Sequence, residues 1–174
     1  MMRTGVPHEC WKDMTVWMRR RDEHLVEDVR AIQVILAGNL NPQIADLFWK
    51  AVLFHATEFP EKYFTRYFSE GRLRLMGISN LPPEAQLLWL NETQANETGA
   101  IDVEHDHVWS RSWLQQTLST DNADLLAVLR EYAWGCTLTK GEHGRVGRTN
   151  LEGWNKYREA GIRVFDLLIG EWKT

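Results

Sequence analysis

Apolar residues recur along the first part of the chain at the spacing of a helix face. Trp11, Met14, Trp17, Met18, Leu25, Val29, Ile32 and Ile35/Leu36 follow at intervals of three, four and seven. This predicts one long amphipathic helix from Cys10 to Ala37, stopping before Gly38. Asn41-Pro42 then offers a cap residue and a proline suited to the first helical position, and Ile44, Leu47, Phe48, Ala51 and Val52 continue a second helix to about Thr57. Pro60 is expected to open a short aromatic helix through Tyr63, Phe64, Tyr67 and Phe68, closed by Gly71. Pro82-Pro83 is expected to start another, carrying Ala85, Leu88 and Trp89.

The pattern changes after the polar stretch Asn91 to Gly99 (NETQANETG). Ile101, Val103, His105, His107 and Trp109 alternate with Asp102, Glu104, Asp106 and Val108, which predicts a strand of period two. Leu114 to Trp134 reads as helical through Leu118, Leu125, Leu126, Val128, Leu129 and Tyr132. Cys136 and Leu138 mark a second short strand, and a helix should follow Thr139. The tail from Leu151 to Trp172 reads as an amphipathic helix broken at Gly161. The expected class is α+β and mostly helical, with residues 1–95 as a helical scaffold or partner region and 96–174 as a separate unit.

Composition narrows the class. The 174 residues are 44% hydrophobic and 25% charged, and Gly and Pro together number 17, as in an ordinary globular chain able to bury a core without cross-links. A net charge of -4 gives no whole-protein attraction to nucleic acid or membrane, although a local basic face stays open. Two distant cysteines, Cys10 and Cys136, exclude a disulfide framework and fit buried, inert thiols in a reducing compartment. The N-terminal stretch lacks the apolar core of a signal peptide and no run suits a membrane span, so a cytoplasmic protein is expected. The Asn91 and Asn96 acceptor patterns are therefore read as loop residues, and most of the nine tryptophans as core.

His105-Asp106-His107 is the densest group of ligating and proton-transferring side chains. Neutral imidazole binds divalent ions and titrates near neutrality, and a neighbouring carboxylate adds an oxygen ligand. His143 follows the second expected strand, near the start of a helix that Thr139 can cap. Strand, connection, strand, then a helix bearing a His resembles the ββα-metal fold of the HNH endonucleases, on Asp106-His107-Val108-Trp109-Ser110-Arg111-Ser112 and His143.

Carried across, the resemblance implies a divalent-metal-dependent endonuclease with residues 96–174 as its metal domain. Asp106 and His143 would hold one ion (Mg, Mn, Ni or Zn), and His107 would be the base that activates water. Asn122 would take the family's central Asn role, and Arg111 would pair with the scissile phosphate. The chain departs from the family's pattern in having no Cys-x-x-Cys pair, in carrying Ser110 where proline is frequent, and in placing Ala123 to Trp134 between Asn122 and His143.

Lys140, Arg145, Arg148, Lys156, Arg158 and Arg163 put six cations in twenty-four residues. Such a basic stretch suits phosphate contacts, with Lys140, Arg145, Arg148 and Lys156 as the expected nucleic-acid ligands and DNA as the expected form. The front half offers less chemistry. His8, His24 and His55 read as isolated, Arg19-Arg20-Arg21 as a solvated patch, and the N-terminal helices as a surface for a protein partner or a second copy. Two other readings remain open: an all-helical HD-type metal phosphohydrolase built on His105-Asp106, with His55 and Asp124 or Asp166, and a non-enzymatic inhibitor-like interaction protein rich in exposed Trp and Tyr.

Overall fold

The computed structural model describes residues 14–38, 40–58, 60–61, 64–77 and 102–174. Cys10, the helix expected after Pro82 and the polar stretch 91–99 lie outside them. The two N-terminal helices form as the periodicity requires: α1 spans Met14–Leu36 and α2 Pro42–Thr57, where Asn41 Oδ1 accepts from the Gln43 amide and Pro42 opens the first turn. They pack on each other and on α4 (Arg111–Leu118) and α5 (Leu125–Tyr132), burying Leu25, Ile32, Trp49, Leu53, Leu114, Leu118 and Leu129 in one apolar cluster.

The segment from Pro60 corrects the sequence reading. In place of an aromatic helix it forms β1 (Pro60–Glu61), β2 (Phe64–Thr65) and β3 (Tyr67–Ser69), and only then the short α3 (Glu70–Leu75). Tyr67, Phe68 and Ser69 are all buried, because β3 lies inside a five-stranded sheet where both faces are covered. The helix expected over Leu114 to Trp134 is two helices, broken at an exposed turn where Asn122 adopts φ 61° and Asp124 caps α5. The tail also differs, with α7 (Trp154–Glu159) followed by β6 (Val164–Asp166) and β7 (Glu171–Trp172).

The sheet order is β4-β5-β3-β6-β7, with β4 spanning Val103–His107 and β5 Gly135–Thr139. β4 and β5 are antiparallel, with Asp106 opposite Cys136 and His107 opposite Gly135, whereas β3 and β5 run parallel. A strand from the front half thus sits between strands from the back half, so the expected division near residue 95 does not divide the packing. The mixed, largely helical α+β class is as expected. No described helix is long and apolar enough to cross a membrane.

β5 runs directly into α6 (Lys140–Val146) through a capping box, in which Thr139 Oγ1 accepts from the Glu142 amide and the Glu142 carboxylate accepts from the Thr139 amide. That carboxylate also reaches the parallel neighbour. Ser69 Oγ, the N-cap of α3, donates to Glu142 Oε2 at 2.5 Å, and the Gly71 amide donates to Oε1 at 3.1 Å. A Cβ on Gly71 would lie 2.5 Å from the same carboxylate, so the close approach needs glycine there.

Glu142→Gln places an amide NH2 opposite one of these donors. It is expected to lower unfolding free energy by ~1–3 kcal/mol, measured by urea denaturation. An unchanged midpoint would show that the carboxylate does not tie the two helix starts together.

Candidate functional site

The alternation of β4 sorts its polar side chains onto two faces. Asp106 faces α6 and α7, where Oδ2 accepts from Tyr157 Oη at 2.5 Å and pairs with Lys156 Nζ at 2.9 Å. The other oxygen, Oδ1, lies 3.8 Å from His143 Nε2 on α6. Two ligands each ~2.1 Å from one ion stand roughly 3–3.5 Å apart, so a shift of a few tenths of an ångström brings this pair to ligand spacing. The Asp106 side chain is 13% exposed and that of His143 43%, so the pair forms a shallow site open at the imidazole.

Burial first, and then the neighbouring Asp106 carboxylate, hold the Tyr157 phenol well above its ordinary range, so it stays a hydrogen-bond donor. Burial likewise raises the Cys136 thiol, which agrees with an inert core residue. Lys156 is buried. Its ammonium bridges Asp106 Oδ2 and the carbonyl oxygen of His107, which corrects its expected place on a nucleic-acid surface.

His105 and His107 occupy the opposite face with the C-terminal end of α2. Thr57 Oγ1 lies 3.3 Å from His105 Nε2 and 3.0 Å from His107 Nδ1, while it donates to the Leu53 carbonyl at 2.8 Å. Because that single hydroxyl proton goes to Leu53, both imidazoles serve as donors to Thr57. This fixes His107 as the Nδ1–H tautomer and leaves its Nε2 a buried lone pair with no hydrogen-bond partner among the described residues. Gly135 makes the packing possible: a Cβ there would meet His105 Cε1 and the Thr57 carbonyl oxygen at 2.4 Å. Arg111 belongs to this side, with its guanidinium 4.7 Å from the Phe54 ring centroid, itself 4.9 Å from the His107 ring.

The structure therefore brings Asp106 and His143 together and sets His107 and Arg111 apart from them across the sheet. Asn122, expected in the central role, lies on the exposed turn between α4 and α5. Lys140, Arg145 and Arg148 are exposed on α6 and just after it. Arg145 and Arg148 line an open groove of about 660 Å3 with Asn150 and Glu159.

Two further readings are corrected. Arg21 is not solvated: it is buried, donates to the carbonyls of Leu129 and Ala133 at the end of α5, and stacks 3.5 Å over Trp134. Burial lowers its pKa to about 9. His24 and His55 are not isolated either. Their rings stack at 3.7 Å, and with Asp28 they form a group of side chains that could hold a metal ion. The signal was the His24-x-x-x-Asp28 spacing, which puts both on one side of a helix. Comparison with protein-family models, with curated proteins and with solved structures finds no match.

Burial, and then the charges of His105, Arg111 and Lys156, lower the His107 pKa from 6.5 to about 3. The unfolded chain thus binds a proton that the folded one refuses, and stability should fall as pH drops from 6.5 towards 3. His107→Gln removes this contribution, so its urea-midpoint profile should be flatter than the parent's by on the order of a few kcal/mol over that window. Parallel profiles would show that the ring protonates freely in the fold.

Proposed function

We propose that the protein is a divalent-metal-dependent phosphodiesterase acting on nucleic acid, with Asp106 and His143 as its metal ligands. The observation that carries this is the antiparallel pairing of β4 with β5, which runs directly into α6 and leaves Asp106 Oδ1 and His143 Nε2 3.8 Å apart. The donor set fits a divalent ion. Tyr157 and Lys156 both engage Oδ2, so Oδ1 and the exposed imidazole are the side from which a cation can approach. A bound divalent ion supplies Lewis-acid stabilisation of phosphate charge and lowers the pKa of water.

The chain's own groups do the rest. Tyr157 and Lys156 fix the carboxylate, with the ammonium offsetting part of its charge in a nearly buried position. The capping box sets the first turn of α6 and hence the place of His143. Exposed Lys140, Arg145, Arg148, Arg158 and Arg163 supply phosphate contacts that position a duplex without reading sequence. His107 faces away from this pair, so it supports the sheet's other face rather than taking the proton from water.

Plasmid DNA incubated with chelator-stripped protein and Mg, Mn, Ni or Zn tests the proposal. Nicking is expected with at least one ion, and Asp106→Asn and His143→Ala should each slow it by ~100-fold or more. His107→Gln should stay within roughly tenfold of the parent, and Arg148→Glu should weaken binding and flatten its salt dependence. Absence of nicking with every ion, or full activity in His143→Ala, would overturn it.

Those outcomes would favour the non-enzymatic reading, for which the specific observation is a strip of exposed Val34, Leu36, Ile44, Leu47 and Phe48 on α1 and α2.

A further inference from the structure

A second cluster of ligating groups lies between α1 and α2, independent of the site on β4. His24 and Asp28 stand one turn apart on α1, and His55 comes from the last turn of α2. The His55 Nδ1 atom is 2.5 Å from Asp28 Oδ1, His24 Nε2 is 3.9 Å from Asp28 Oδ2, and one ligand atom from each residue lies within 4.8 Å of the others. The arrangement offers two imidazole nitrogens and a carboxylate.

The carboxylate shows the strain of the arrangement most clearly. Asp28 is 3% exposed, and its Oδ2 is buried with no hydrogen-bond partner among the described residues. An unsatisfied oxygen on a buried carboxylate costs free energy that a cation would recover. The rest of the cluster is held by protons. One sits between His55 Nδ1 and Asp28 Oδ1, and another lets His24 Nε2 donate to the His55 carbonyl oxygen at 2.5 Å. Metal ions compete with protons for imidazole, so one cation can replace both bridging protons and satisfy Oδ2.

We propose that His24, Asp28 and His55 bind one divalent transition-metal ion of the zinc, cobalt or nickel class, which clamps α1 to α2. Two nitrogen ligands and one oxygen suit these ions, whereas calcium takes six to eight oxygens and magnesium keeps most of its water. Side-chain exposures of 18% for His24 and 23% for His55 leave a mouth through which the ion enters and water completes its coordination.

His143→Ala protein, in which the other proposed site has lost a ligand, is the host for the test. After chelation it is titrated with Co2+ and Zn2+ by calorimetry and visible absorption. One equivalent is expected to bind, with a cobalt ligand-field spectrum and a higher Zn2+-dependent unfolding midpoint. Adding His24→Gln or His55→Gln should weaken binding by at least ~100-fold, beyond the effect of losing an outer-shell partner.

No binding by the host, or unchanged binding in the host carrying both substitutions, would overturn the site. If His55→Gln unfolds the chain, His24→Gln decides, because His24 makes no short contact to the Asp28 carboxylate, its Nε2 lying 3.9 Å from Oδ2 against 2.5 Å from His55 Nδ1 to Oδ1. Failure here leaves the nuclease reading untouched, since plasmid nicking is measured on protein with His143 intact.

Discussion

The arrangement around β4 depends on one buried carboxylate. Glu142 accepts from Ser69, Gly71 and Thr139, so the starts of α3 and α6 are fastened to each other and to the ends of the parallel strands β3 and β5. Parallel neighbours with a helix after each strand leave two sets of unpaired amides side by side at one end of the sheet, and a single anion between them satisfies both. His143 is the next residue along the chain. The orientation of its ring toward Asp106 is thus set by a contact that is itself structural.

A second consequence concerns the faces of the sheet. Once β5 is locked between β3 and β4, the register with β4 puts Asp106 opposite Cys136 and leaves His105 and His107 beside Thr57 and Gly135. One face carries the carboxylate, an ammonium, a phenol and an accessible imidazole. The other packs the imidazoles of His105 and His107 against α2 and Phe54. On the first face Lys156 balances the carboxylate. The opposite face holds His107 neutral by excluding water.

Much of this was legible in the sequence where the signals are local. The period-two run over Val103 to His107, the Asn41-Pro42 start of α2 and the Thr139 cap of α6 each depend on residues within a few positions. The aromatic run from Pro60 was not legible. Tyr67 and Phe68 form a strand only because Cys136 and Thr137 on one side and Phe165 and Asp166 on the other supply its hydrogen bonds, from residues far along the chain. The tail failed for the same reason, since β6 exists as the partner of β3.

The site divides along similar lines. That Asp106 and His143 meet follows from a strand, its antiparallel partner and a capped helix, all readable in order. The separation of His107 from Asp106 was readable too, because the alternation that predicts a strand also turns adjacent residues to opposite faces. A family resemblance that assigns adjacent residues to one ion site conflicts with that rule unless the strand is distorted at its end, and β4 keeps regular pairing through His107. His24 and His55 show the complementary case. Their spacing along the chain carries no information about their contact, and only the antiparallel packing of α1 on α2 brings a turn of one helix to the end of the other. Local patterns therefore fix which groups each element presents, whereas the long-range pairings decide which of those groups share a ligand.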